Sequence, residues 1–187
     1  IPPSPIVSCL GKIENVKKTI TMSFKKENSS IILIGKRKNE LGGSIFYDLH
    51  NELGKNVPNP DLEEVKNQIY GITDCIEKSL VFACHDISEG GVAASLCEMA
   101  FGNSIGCSVK IESELSTEKI LFSETGGFIL EAKNENIESI HSIFNQYKLD
   151  AYVIGVTGGN KIKLNNTIDI TVDDAKKSWE NGLRNKL

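Results

Sequence analysis

No run of this sequence stays apolar over the roughly 20 residues that a membrane-crossing helix needs, and no segment reads as a signal peptide. A membrane partner is therefore not expected. Basic residues are not in excess: the formal net charge is −4, so there is no broad cationic surface for nucleic acid. The five cysteines, Cys9, Cys75, Cys84, Cys97 and Cys107, include no CxxC pair. An odd count without metal spacing predicts reduced thiols in a cytoplasmic protein, most of them small core residues. No nucleophile stands with a base for acyl transfer. His50 is expected in a loop and His141 on the solvent side of its helix, neither with a partner. Internal repeats and low-complexity tracts are absent. What is present, 187 residues with 40% hydrophobic and 25% charged content, fits one globular domain.

Three prolines in Ile1-Pro2-Pro3-Ser4-Pro5 give an extended entry without an initiator Met, which leads to the expectation of a piece of a longer chain. A short apolar run, Ile6–Leu10, follows. Thr19–Phe24 and Ser30–Ile34 read as two strands joined by a hairpin loop at Lys25–Ser29. The second is continuously apolar and so is expected at the centre of a sheet. Lys36-Arg37-Lys38 reads as a solvated basic loop. Leu41-Gly42-Gly43-Ser44 is a tight connection in preference to a second anion nest. Asn59-Pro60-Asp61 opens a helix with an apolar stripe at Leu62, Val65, Ile69, Ile72 and Ile76.

The stretch from Phe82 to Leu96 is the most informative. Leu80–Cys84 is a strand that His85 and Asp86 end. Ser88 is expected as a helix N-cap, and Gly90 and Gly91 sit in the first turn. Free amides and the positive end of a helix dipole favour a phosphate there, and glycines permit close backbone approach. Ser88, Gly90 and Gly91 are the candidate phosphate cradle. Asp86, an acid beside such a cradle, suits a metal-bridged phosphate. The competing reading is that the two glycines only allow close packing against a neighbour.

A second polar turn follows at Ser123-Glu124-Thr125-Gly126-Gly127. Ser123 can donate to a ligand, Glu124 can bind a hard cation, and the Gly126 amide can meet an anion. A plain turn with a solvent-facing Glu is the alternative. Further strands are expected at Gly106–Ile111, Phe128–Ala132, Ala151–Val156, Lys161–Leu164 and Thr167–Val172. Ser113–Lys119 is a polar stretch. Ile137–Tyr147 is an amphipathic helix, and Asp173 or Asp174 caps a last helix carrying Ala175, Trp179 and Leu183.

Four motifs in order, Ile1–Val7, Leu41–Ser44, His85–Gly91 and Leu121–Glu124, resemble phosphoribosylformylglycinamidine synthase subunit II. The likeness is to its last domain, of the aminoimidazole ribonucleotide synthase C-terminal type, and covers essentially all of residues 1–187 as one such domain. The resemblance implies an α/β fold with a mixed sheet of about six or seven strands. Helices at 60–79, 89–102, 135–147 and 173–185 are then expected mainly on one face. It also implies an ATP-dependent C–N ligase of purine biosynthesis that turns an amide into an amidine with ATP and glutamine-derived ammonia. ATP and Mg²⁺ are the implied cofactors. The implied partners are upstream domains of the same enzyme, a glutaminase subunit, a small accessory subunit and a second copy in a homodimer. By the same resemblance, Asp86 and Ser123 contact nucleotide, Glu124 is a metal ligand in place of the family's usual Asn, and Gly126 a substrate contact in place of Ser. Gly127 stands where Arg is common, which removes a phosphate-anchoring charge. No catalytic residue is expected in this chain, and the domain alone is expected to be inactive. The alternatives are a domain of a sister ATP-dependent enzyme (aminoimidazole ribonucleotide synthase, selenophosphate synthetase, thiamine-monophosphate kinase or a hydrogenase maturation factor) and a noncatalytic scaffold domain.

Overall fold

The structure is a computed structural model and describes residues 7–182. The expectations at Ile1–Pro5 and at Leu183 lie outside the described residues. In chain order the elements are β1 (Ser30–Ile34), α1 (Ile45–Leu49), α2 (Leu62–Glu77), β2 (Val81–Asp86), α3 (Gly91–Phe101), β3 (Cys107–Val109), α4 (Thr117–Phe122), β4 (Phe128–Ala132), α5 (Ile137–Gln146), β5 (Ala151–Thr157), β6 (Lys161–Leu164), β7 (Ile168–Thr171) and α6 (Val172–Asn181). The strands form one seven-stranded sheet in the order β2-β4-β1-β5-β3-β6-β7. Every pairing is antiparallel except β3 with β6, so the sheet is mixed, as expected. Among the described residues no helix is long and apolar enough to cross a membrane.

The sequence of β1, Ser-Ile-Ile-Leu-Ile, explains its central place: all five residues are buried, between β4 and β5. Side chains alternate across a strand. Ile31 and Leu33 therefore enter one core with Leu96 and Met99 of α3, Leu121 of α4 and Val172 of α6. Ile32 and Ile34 enter a second core with Ile72 and Cys75 of α2 and Ile140 and Phe144 of α5. Helices thus flank both faces, a more even layering than expected.

Several local expectations change. The Thr19–Phe24 segment forms no strand and no hairpin with β1; its only ladder contact is a parallel bridge from Thr21 to Ala83. It is held by packing and polar contacts instead. Phe24 is fully buried, its N–H donates to Met99 O at 2.8 Å, and the Lys25 and Lys26 amides donate to the buried Glu131 carboxylate at 2.7 and 2.9 Å. Val7 and Leu10 are exposed and form no strand. β2 continues through His85 and Asp86, because both pair with β4. The α2 stripe is only partly buried: Leu62 and Ile69 face outward, while Gln68, Gly71, Ile72 and Cys75 face in. A Cβ on Gly71 would lie 2.6 Å from the Phe144 ring, so the glycine is what lets α5 approach. The polar stretch before Ser123 contains α4, and Thr171 caps α6 in place of the expected aspartates, its hydroxyl accepting from Asp174 N at 3.1 Å. His141 does not simply face solvent; its Nε2 is buried and has no partner among the described residues. The hairpin turn at Asn165-Asn166 has both residues at positive φ, as the pair of asparagines leads one to expect.

Candidate functional site

Glu124 joins the three glycine-bearing stretches. Its Oε1 accepts from Gly90 N at 2.9 Å and from Ile45 N at 2.9 Å. Ile45 opens α1 directly after Leu41–Ser44, and Gly90 precedes α3 directly after the His85–Glu89 segment. A carboxylate at converging amides is stabilised by charge-assisted hydrogen bonds. Ile87 N also donates to Gly127 O at 2.9 Å, tying the two bends together a second time. The Phe46 ring of α1 stacks on Phe122 at 4.8 Å between centroids, just ahead of Ser123.

The Leu41–Ser44 stretch is the expected tight connection. Gly42 N and Gly43 N donate to Asn56 O and Leu53 O at 2.7 and 2.8 Å, leaving no free nest. Ser44 Oγ donates to Leu41 O and accepts from Tyr47 N, which starts α1.

The Asp86–Gly91 bend differs from expectation in detail. Ser88 is exposed and does not cap the helix; the N-cap is Gly90 at φ 77°, a conformation that glycine adopts without steric cost. The two cradle amides are not free. Gly90 N is taken by Glu124, and Gly91 N donates to Ser88 O at 3.0 Å. Gly91 is needed for packing, since a Cβ there would lie 2.7 Å from Leu121 O. Asp86 presents a largely exposed carboxylate at the end of β2, 3.1 Å from His85 Nδ1. The other ring nitrogen of His85 lies 2.9 Å from Glu98 Oε2, so one half-buried imidazole bridges two acids.

In the second bend, Ser123 is fully buried and its hydroxyl donates to Lys38 O at 2.9 Å. In this structure that hydroxyl gives its proton to a backbone carbonyl, so the ligand-donor role expected for Ser123 is not the bond it makes here. Gly126 forms the exposed tip of the bend, at φ 53° with open space where a Cβ would stand. Glu124 keeps its second oxygen free of protein partners among the described residues, while no three His, Cys, Asp or Glu side chains there converge on a metal position. The residues present thus fit a metal ion as one ligand among several from elsewhere, and do not fit a complete cage.

Arg37 is the residue that sequence reasoning missed. It is buried, and its guanidinium donates to Ser123 O at 3.4 Å, to Thr125 O at 3.3 Å and to Gly126 O. Burial lowers its pKa to about 10, with Glu40 and Glu64 opposing the shift, so it stays charged at neutral pH. Gly127, where the family resemblance calls for Arg, has φ 116°, and a Cβ there would lie 2.5 Å from Ile34 O and 3.3 Å from Arg37 Nη2. The cation at this bend comes from the loop after β1, and it is engaged with backbone carbonyls.

An α/β domain with two bends clamped on one carboxylate is the class this arrangement defines. Residues 26–165 match the model of the AIR synthase related protein, C-terminal domain, and the chain belongs to that family. It is 30% identical, over all of its length, to the phosphoribosylformylglycinamidine synthase subunit PurL of Methanothrix thermoacetophila, covering 25% of that protein. The chain thus spans about a quarter of this relative. Among solved structures, Thermotoga maritima PurL complexed with FGAR superposes with a TM-score of 0.70 at 16% identity, over 86% of this chain and 30% of that one. T. maritima PurL complexed with ATP superposes with a TM-score of 0.66 at 16% identity, over 86% of this chain and 27% of that one. These two likenesses establish the fold.

Proposed function

We propose that this domain is the C-terminal part of an ATP-dependent formylglycinamidine ribonucleotide synthase, the C–N ligase of purine biosynthesis. The observation that carries the reading is the convergence of the Ser44–Ile45, Asp86–Gly91 and Ser123–Gly127 stretches on Glu124. The likeness to PurL, and the binding of ATP and FGAR by its T. maritima counterpart, support it. In this reading the domain contributes contacts and no catalytic residue. Asp86 and the second oxygen of Glu124 face a nucleotide phosphate held mainly by other domains, and Gly126 offers its open tip to substrate. A bound Mg²⁺ would neutralise charge on the transferred phosphoryl group. Glu124 Oε1 fixes both bends, and Arg37 fixes the backbone of the second from beneath. Ser88 adds an exposed hydroxyl beside them. The setting is the cytoplasm, with a glutaminase subunit and a small accessory subunit as partners.

Glu124→Gln in the complete enzyme tests this. The amide oxygen can still accept from Gly90 and Ile45, while the charge is lost. Apparent Mg²⁺ affinity is expected to fall about tenfold or more, the range seen when a single group around a metal is changed. Asp86→Ala is expected to lower the nucleotide retained on purification. Unchanged Mg²⁺ dependence together with unchanged nucleotide content would sink the reading.

A further inference from the structure

His85 stands at the end of β2, the outermost strand of the sheet, and both of its ring nitrogens are engaged. Nε2 lies 2.9 Å from Glu98 Oε2 on α3, and Nδ1 lies 3.1 Å from Asp86 Oδ1. Carboxylates only accept, so both contacts form when the ring carries a proton on each nitrogen. The His85 side chain is 14% exposed, that of Glu98 32% and that of Asp86 64%, so a mostly buried ring links an acid on the helix to an acid at the surface. Neither carboxylate has another hydrogen-bond or ion-pair partner among the described residues. The trio is not a metal site: the ring stands between the two acids, and among the described residues no three His, Cys, Asp or Glu side chains converge on a metal position.

The main chain at Asp86 is fixed without the imidazole. Asp86 pairs with Phe128 in β4, and its carbonyl accepts from Ser95 Oγ at 3.1 Å. Ala83 of β2 shares the first core with Leu96 and Met99 of α3, so strand and helix are docked by apolar packing. What the imidazole alone holds is the direction of the Asp86 carboxylate. A short exposed side chain otherwise turns among its rotamers. The ring is held in its turn, because a carboxylate that accepts from one ring nitrogen sets the orientation of the imidazole and so where the other nitrogen points. Direction matters at this acid. A carboxylate near a phosphate repels it unless a cation lies between, so the way Asp86 points decides whether it helps or hinders.

We propose that Glu98 and His85 are positioning residues that aim the Asp86 carboxylate at the nucleotide site: Glu98 fixes the ring, and the ring fixes Asp86. The inference rests on the reading of Asp86 as a nucleotide contact. It is tested in the complete enzyme by measuring the Kd of ADP with Mg²⁺ by calorimetry. Asp86→Ala, Glu98→Ala and Glu98→Gln are compared with the double variant Asp86→Ala/Glu98→Ala. Glu98→Ala is expected to weaken ADP binding about fivefold, the scale of ordering one flexible side chain in a site. Glu98→Gln, whose amide oxygen still accepts from Nε2, is expected to restore most of that loss. In the Asp86→Ala background Glu98→Ala is expected to add nothing, because the residue it acts through is gone. Where Glu98→Ala does not fold, His85→Ala takes its place in the comparison with Asp86→Ala. Asp86→Ala that binds ADP as before would remove the nucleotide reading, and this inference with it. Weakened binding in Asp86→Ala beside unaltered binding in Glu98→Ala would overturn the inference alone. So would equal losses in Glu98→Ala and Glu98→Gln, or losses from Asp86→Ala and Glu98→Ala that add in the double variant.

Discussion

Arg37 Nη2 stands 3.3 Å from where a Cβ on Gly127 would be, and Ile34 O stands 2.5 Å from it. The glycine and the buried arginine therefore require one another. A side chain at Gly127 would strike the carbonyl at the end of β1 and press on the guanidinium that holds the bend. Gly127→Ala is expected to cost about 3 kcal/mol, combining strain at φ 116° with that clash. Gly126→Ala, at φ 53° with nothing within 4 Å, is expected to cost only about 1 kcal/mol. Urea unfolding midpoints of the two variants check this; equal losses would refute the steric account.

Glu131 gives a second expectation. The side chain is fully buried in β4, with Oε2 accepting from Lys25 N at 2.7 Å and Oε1 from Lys26 N at 2.9 Å. In Glu131→Gln one oxygen becomes an NH₂ facing an N–H. The loss of one charge-assisted bond and the stranding of a buried donor are expected to cost about 2–3 kcal/mol. Hydrogen exchange should show protection falling at the Lys25 or Lys26 amide, with the β1–β4 ladder protected as before. Unchanged exchange at both amides would mean that the carboxylate does not anchor this segment.

The buried thiols set a pH dependence. Burial pushes Cys75, Cys84 and Cys107 up to about 12 and Cys97 up to about 11, with nearby acids or thiols adding to the effect. Below about pH 9, the ordinary thiol value, these groups are neutral in folded and unfolded chains alike. Above it the unfolded chain loses protons that the folded one keeps, so stability falls as pH rises, by about 1.4 kcal/mol per pH unit for each thiol fully titrated in the unfolded state. Arg37 acts the other way above about pH 10, since the folded chain releases that proton first; one proton is outweighed by the thiols. Urea midpoints between about pH 8 and about pH 10.5 are expected to drop. At about pH 8 iodoacetamide is expected to label the exposed Cys9 and to spare the buried Cys75 and Cys107 and the partly buried Cys84 and Cys97, because only thiolates react. Midpoints that hold steady, with fast labelling of Cys75, would contradict this.

The sheet was legible because β1 and β4 are short apolar runs whose burial the pattern states directly, and the α5 stripe likewise. Thr19–Phe24 misled because its alternation has a strand's period, yet Phe24 and the Lys25 and Lys26 amides are held by side chains from α3 and β4 that no local pattern reveals. The site was legible in its members and not in its bonding. Sequence shows that Gly90, Gly91, Ser123 and Glu124 belong to polar bends; it does not show that Glu124 fills the amides that a phosphate was expected to find. Arg37 was hidden by its neighbours, since a basic triplet reads as solvated and only the third dimension turns its middle member inward.

The place of β1 bears on how the chain is made. This strand, buried on both faces and flanked on both edges, precedes its edge partners β4 and β5 in the chain, with α1 to α4, β2 and β3 lying between β1 and β4. During synthesis an apolar ribbon must therefore wait, unsheathed, until β4 and β5 have left the ribosome, and long-range pairing of that kind is slow and exposes sticky edges. Protection by chaperones in that interval matters more for this domain than for one whose central strand is translated last.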